Sequence, residues 1–403
     1  MKPIVTRCCI AGGGPAGVML GYLLARAGID VVVVEKWPDF FRDFRGDTIH
    51  PSTMEILHEL GLLEEFLKLP HNETRQVVAH IGGKEIQLAN LELLNTRAPY
   101  IAFIPQWDFL KFLSNHATSF PSFHLMMDTE ATDVIEENGR IVGISAKSKE
   151  KVFEIRADVV VGADGRHSTI REKADLAVED FGAPIDVLWF RLSRKNDGTK
   201  QSFGYVNDGK FFIMLDRDEY WQCAFVIHKG SFDSIKAKGM EEFRKSISSL
   251  VTDADLNTEE LKDWDQIKIL SVAVDHLTTW YKQGVVCIGD SAHAMSPIGG
   301  VGINLAIQDA VAAANILVLA FRKGVPGRFD FAKIQKRREL PTRLVQRLQI
   351  FLHHRVVAPV LMHKGQIKVP WVLKIFNAIP LLQWIPARII GIGFRPEHIK
   401  IKF

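Results

Sequence analysis

Gly12-x-Gly14-x-x-Gly17 sits between the apolar run Ile4 to Ala11 and an apolar stretch reaching Ala27, with Gly21 and Gly28 further on. Val31-Val32-Val33-Val34 follows and ends in Glu35. Strand, tight glycine turn, helix and strand in that order predict a βαβ unit built on a buried parallel strand. Each position has a chemical use. Gly12 permits the turn, Gly14 lets the backbone approach a pyrophosphate, and Gly17 lets helix and strand pack closely. The helix start supplies free N–H groups and positive partial charge, and Glu35 can accept from ribose hydroxyls. Pro15, Ala16 and Lys36 join these as candidate contacts. A glycine turn also occurs in unrelated α/β proteins, but strand, helix and acid in register favour a dinucleotide, with NAD or FAD left open.

Two later apolar runs also end in glycine and aspartate. One is Val159-Val160-Val161, followed by Gly162-Ala163-Asp164-Gly165, then Ser168 and Arg171; the other is Val285-Val286-Cys287-Ile288, followed by Gly289-Asp290. They read as strands of the same sheet returning late in the chain. Between them, from about Phe181 to Val274, alternating aromatic and aliphatic segments predict a second, largely antiparallel sheet.

The three motifs together resemble the class A flavoprotein monooxygenases, the p-hydroxybenzoate hydroxylase-like family, over most of the first 320 residues. The resemblance implies a Rossmann-like FAD-binding domain (1–180, with a small inserted sheet near 75–105), a mostly antiparallel substrate-binding sheet (181–275), a returning FAD segment (276–345) and a helical C-terminal tail (346–403). It assigns Asp290, Pro297, Gly300, Gly302, Ile303 and Asn304 to FAD. Aspartate at a strand end suits a ribityl hydroxyl, and a helix N-terminus near Gly302 suits the charge that collects at N1–C2=O on reduction. Asp164-Gly165 falls where the family contacts FAD and NAD(P)H, although an Asp164–Arg171 ion pair bracing a loop would explain the same residues. Arg45 and Gln106 match positions where the family holds phosphate or ribityl groups; ordinary surface polar residues are the alternative. No second strand-linked G-x-G-x-x-G occurs, so NADPH or NADH is expected to visit transiently.

The resemblance also implies oxygen insertion by a flavin C4a-hydroperoxide, which requires a dry pocket and no metal. His50 is the candidate proton handler, or merely a cap for a helix starting near Pro51. His293 reads as architectural. Trp189, Arg191, Tyr205, Phe212, Trp221 and Phe225 are the candidate substrate contacts, of which alternation lets about half point inward. The expected reaction is hydroxylation of an aromatic or polyketide-like molecule. The alternative is a non-oxygenating FAD reductase of an isoprenoid or quinone-like lipid, or a flavin-dependent regulator; a plain NAD dehydrogenase would leave Gly289-Asp290 without purpose. The G-W-x-W-x-I-P element of flavin halogenases is absent, as are the cysteine pairs of disulfide reductases.

Composition fits this reading. The chain has 403 residues, enough for two to three domains of roughly 150. With 47% apolar and 24% charged residues it matches ordinary globular chains. Fifty Lys and Arg against 47 Asp and Glu give a net charge of +3, too balanced to announce nucleic-acid binding. Cys8, Cys9, Cys223 and Cys287 lack metal-ligand spacing and fit a reducing cytoplasm. Neither a signal peptide nor a spanning segment is expected. The tail after Pro341 holds Pro359, Pro370, Pro380, Pro386 and Pro396 and should form only short helices. It is apolar and basic together, so a lid, a homodimer contact and peripheral membrane contact are all open, with packing favoured because basic residues usually form a solvated face.

Overall fold

The computed structural model describes residues 2–41, 47–149, 151–194, 203–217, 219–251 and 256–403. It is a mixed α/β structure, 39% helix and 29% strand. Five parallel strands run through the eight-stranded first sheet in the order Val285–Cys287, Lys151–Gly162, Ile4–Ala11, Val31–Val34 and Phe123–Met126, with Tyr281–Lys282 antiparallel at the edge beside Val285–Cys287. The hairpin Glu130–Glu137 and Arg140–Ser148 pairs antiparallel to the early part of Lys151–Gly162. The apolar runs are continuous because both faces are covered. Cys8, Ile10, Val33 and Val161 face the helices Pro15–Arg26 and Gly302–Lys323, whereas Cys9, Ala11, Val34 and Val160 face the opposite layer. Gly302–Lys323 lies in a stretch, Ile298–Lys323, long and apolar enough to cross a bilayer, but its most apolar part is mostly buried within the fold and serves as a core helix. All four cysteines are free and buried, and burial pushes the Cys9 thiol up to about 12.

The second sheet has seven strands in the order Lys268–Ser271, Ile185–Ser193, Tyr220–His228, Lys210–Asp216, Phe203–Asn207, Gln76–Ile81 and Lys84–Asn90. The expected small inserted sheet near 75–105 is corrected here. Gln76–Ile81 and Lys84–Asn90 extend the substrate sheet, because Gln76–Ile81 pairs in parallel with Phe203–Asn207 and covers what would be an exposed edge. His80 stacks on Tyr205 across that join at 4.8 Å. Thr48–Ile49, Ile101–Phe103 and Asn72–Thr74 form a separate small sheet, and Val178–Asp180 pairs with Asp275–Leu277 in another.

A second correction concerns Pro341. The helix Arg328–Leu352 passes through it and continues as a π-helical turn, His353–Val357, into Ala358–Met362. The boundary expected at 345/346 therefore falls inside a helix. Pro341 removes one backbone hydrogen bond, but Arg338, Pro341, Thr342, Val345 and Gln346 are all buried there and hold the helix on course. Beyond it the expected short helices occur: Trp371–Ala378, Pro380–Gln383 and Trp384–Gly391.

Candidate FAD and substrate site

Gly12 has φ 107°, and a Cβ there would lie 2.2 Å from the Ala163 carbonyl oxygen; a Cβ on Gly17 would lie 1.9 Å from that of Gly12. The turn is thus pressed against both the neighbouring strand and its own helix. Pro15 starts the helix with no side-chain cap at Gly14, and nothing lies within 4 Å of where a Gly14 Cβ would be. Uncapped N–H groups therefore open onto free space. Glu35 accepts from the Gly13 N–H at 2.8 Å and from the Trp37 N–H at 3.2 Å, so it also fastens the turn. Ala16 is buried, while Lys36 is exposed with Nζ 5.5 Å from the Trp37 ring centre.

The returning strand ends in a 3-10 turn, Gly289–Ser291. Asp290 stands about one-third exposed, 3.9 Å from the Arg166 guanidinium. Pro297 leads into Ile298–Gly300, where Gly300 has φ 63° and accepts through its carbonyl from Thr48 Oγ1 at 2.8 Å. The helix starting at Gly302 lacks a side-chain cap, and the space beside Gly302 is open; Ile303 is buried behind it. The Asn304 side chain is otherwise engaged. Its oxygen accepts from the His50 N–H at 2.9 Å and the Thr53 hydroxyl at 2.7 Å, and its amide donates to Thr48 O. Only its backbone remains for a cofactor. Gln349 and His353 grip the preceding loop, with Gln349 bonded to the Ser296 amide and carbonyl and His353 Nε2 against Ser296 Oγ at 2.9 Å. The π turn thus stands behind the loop at the helix start.

Asp164 does not pair with Arg171. Its carboxylate accepts from the Ser168 hydroxyl and, at 3.0 Å, from the Ile170 N–H, while Arg171 pairs with Asp275 at 3.2 Å. Burial pushes the Asp164 carboxyl up, and Gly165 turns beside it with φ 85°. His293 is architectural: it meets Asp309, which also pairs with Arg338 at 2.8 Å and accepts from the Gly289 N–H at 3.0 Å. Burial raises the Asp309 carboxyl, but His293 and Arg338 outweigh it and hold it below its usual range.

His50 is fully buried, and burial lowers its ring to about 4. It occupies the cap position of Pro51–Glu59, yet its side chain makes no cap bond. Arg45 lies outside the described residues. Gln106 opens the helix Gln106–Ala117, and its backbone bonds the Asp47 carboxylate. Sequence reasoning missed Asp47 and its partners. Arg217 reaches Asp47 at 2.5 Å and Gln222 at 2.8 Å, tying the seven-stranded sheet to the segment beside Gln106. No motif marks them, since an isolated Asp, Arg and Gln meet only through the fold.

Strand alternation sorts the six candidate substrate residues. Tyr205, Phe212, Trp221 and Phe225 are corrected: they are buried on the face packed by Phe243 and Ile247 of Met240–Ser248. These large rings fill the core against that helix. Trp189 lies on the opposite face, with Phe211, Ile213 and Ala224, against Ile298 of the glycine loop. Its Nε1 is buried with no hydrogen-bond partner among the described residues. Arg191 shares that face two residues on, exposed and 4.9 Å from the Tyr220 ring centre.

Two uncapped helix starts, at Pro15 and Gly302, thus lie at the carboxyl ends of parallel strands with open space beside Gly14 and Gly302 and an aspartate at 290. That donor set fits the phosphates and polar ring edge of FAD. No group of His, Cys, Asp and Glu able to hold a metal occurs among the described residues. A family model described as an FAD binding domain matches residues 5–348. A 6-methylpretetramide 4-monooxygenase of Streptomyces rimosus is 30% identical over 352 residues, spanning 86% of this chain and 83% of that protein. Among solved structures, the p-nitrophenol 4-monooxygenase PnpA of Pseudomonas putida DLL-E4 superposes with a TM-score of 0.78 at 17% identity, covering 96% of this chain and 97% of its own. The anhydrotetracycline hydroxylase OxyS of Streptomyces rimosus gives 0.76 at 19%, covering 96% and 76%. The match across residues 5–348 makes this chain a member of the FAD-binding-domain family of flavin-dependent monooxygenases.

Proposed function

We propose that this enzyme hydroxylates an aromatic or polyketide-like small molecule, consuming NADPH or NADH and O2. One oxygen atom enters the substrate and the other leaves as water, with the nicotinamide supplying the two electrons. FAD, when bound, supplies the redox chemistry that activates oxygen. The chain's residues do the rest. Gly12, Gly14 and the N–H groups following Pro15 would hold the pyrophosphate, Glu35 the ribose, and Asp290 the ribityl chain. The backbone N–H groups of the first turn from Gly302 would meet the ring edge, where they favour negative charge.

The observation that carries the substrate reading is the sheet face formed by Trp189, Phe211 and Ile213, which meets Ile298 of the glycine loop and is bounded by Ile350, Val357 and Leu361 of the helical segment after Arg328. It is apolar, suited to a planar ring, and carries one buried donor without a partner, Trp189 Nε1, suited to a carbonyl or phenolic oxygen. Neutral His50 would hold a lone pair at Nε2 as proton acceptor. Four buried free thiols support a reducing cytoplasmic setting. The relatives are named monooxygenases, and no observation favours the reductase reading.

The test is NADPH and NADH oxidation by the FAD-loaded enzyme in 18O2 with a panel of phenols and polycyclic aromatic ketones. Substrate-accelerated oxidation with one 18O atom in the product supports the proposal. A reduced product without label overturns it.

A further inference from the structure

The stretch from Gln349 to Pro396 contains Arg355, Lys364, Lys368, Lys374, Arg388 and Arg395 and no aspartate or glutamate. Its helices are apolar on two sides. Inward, Val369 and Leu373 pack with Ala79, Ile81 and Ile86, and Ala387 and Ile390 pack with Leu91 and Leu215. Outward, Trp371 and Leu381 are 71% and 76% exposed, and Ile375, Ile379, Trp384 and Ile385 lie between 41% and 48%. A surface helix normally turns its polar side outward, and an outward apolar face on this scale marks an interaction site.

We propose that the outward face of residues 371–388 docks onto an anionic lipid bilayer. Charge selects this occupant. A second copy meeting the face through a two-fold axis would set the same basic residues against themselves, whereas anionic headgroups complement the exposed Lys364, Lys368 and Lys374. The apolar residues are of the kind that enters a bilayer interface: two tryptophans, Trp371 and Trp384, with isoleucine and leucine between them. The same helices meet the sheet at Leu215, which alternation along Lys210–Asp216 puts on the side of Phe211 and Ile213, so a lipophilic substrate would be taken up beside its reservoir. That use rests on the hydroxylation reading; the docking itself does not.

The test is co-sedimentation of the FAD-loaded full chain with vesicles of equal parts phosphatidylglycerol and phosphatidylcholine, and with pure phosphatidylcholine. Sedimentation with the anionic vesicles is expected. Trp371→Ser with Leu381→Ser should weaken it about tenfold, and Lys368→Glu with Lys374→Glu likewise, with circular dichroism and flavin absorbance unchanged. Three outcomes overturn the proposal: wild type remaining in the supernatant with anionic vesicles, variants that sediment like wild type, or a dimer in analytical ultracentrifugation that Trp371→Ser dissociates. Binding without turnover on any aromatic substrate would count against the hydroxylation reading and leave the docking standing.

Discussion

His50 donates from Nδ1 to the carbonyl oxygen of Ile390 at 2.8 Å, joining residues 340 positions apart in the chain. A carbonyl oxygen only accepts, so Nδ1 carries the proton and Nε2 holds the lone pair. Nε2 is buried with no hydrogen-bond partner among the described residues. The contact connects the start of the helix Pro51–Glu59 to the C-terminal helix Trp384–Gly391, so one carbonyl in the tail sets the tautomer of the candidate proton acceptor.

Acid should destabilise the protein through this ring. In the unfolded chain His50 takes a proton near its ordinary 6.5, but in the fold only near 4. Between those values the unfolded state binds more protons, so stability is full above about 6.5 and falls as pH drops towards 4, by about 3 kcal/mol. His353, also lowered to about 4 by burial, acts in the same direction. His50→Asn retains a donor for Ile390 and removes the titration. Thermal melting from pH 7.5 to 4.5 should show a shallower decline in the variant; parallel curves would refute the buried neutral ring.

Asp290→Ala should yield folded protein with greatly reduced flavin occupancy. Asp290 is one-third exposed and at the surface of the turn, where a substitution costs little stability. Asp309→Ala should behave oppositely, because it leaves fully buried Arg338 with Glu397 as its one remaining carboxylate and releases both His293 and the Gly289 N–H; breaking a buried pair costs about 3–5 kcal/mol. Flavin absorbance per folded chain separates the two, and unchanged absorbance in Asp290→Ala sinks its assignment.

Gly17→Ala tests the cradle itself. Its added methyl would meet the Gly12 carbonyl oxygen at 1.9 Å, forcing helix and strand apart at a cost of about 3 kcal/mol. Gly14→Ala meets open space, so it should fold normally and lose FAD affinity only. Melting temperature and flavin titration together read both; equal melting temperatures for the two variants would contradict the packing role of Gly17.

What the sequence made legible were the features tied to local chemistry. Gly12 to Gly17, Glu35 and Gly289-Asp290 could be read because a turn, a helix start and a strand end each demand particular residue types. The face to which Phe212 or Trp189 points could not be read, because alternation gives the period of a strand and not its phase. The phase is set by Met240–Ser248, whose Phe243 and Ile247 claim one side. Asp47 with Arg217, and His50 with Ile390, arise from long-range closure and leave no periodic trace. The expectation of short helices alone after Pro341 failed at its start, because residues buried on both sides of that proline keep the helix Arg328–Leu352 going through it.

The phase of the sheet gives the sharpest prediction about substrate. Trp189→Phe retains an aromatic ring against Ile298 and removes the buried, unpartnered N–H. If that N–H meets a substrate oxygen, its loss should raise KM about tenfold, the worth of one buried hydrogen bond, with kcat and melting temperature little changed. Phe212→Leu on the opposite face should instead lower the melting temperature by opening a void among Phe190, Phe225 and Tyr205, at about 1–3 kcal/mol, with KM unchanged. Steady-state kinetics and melting of both variants decide the matter. A KM effect in Phe212→Leu with none in Trp189→Phe would mean that the substrate lies on the other side of the sheet.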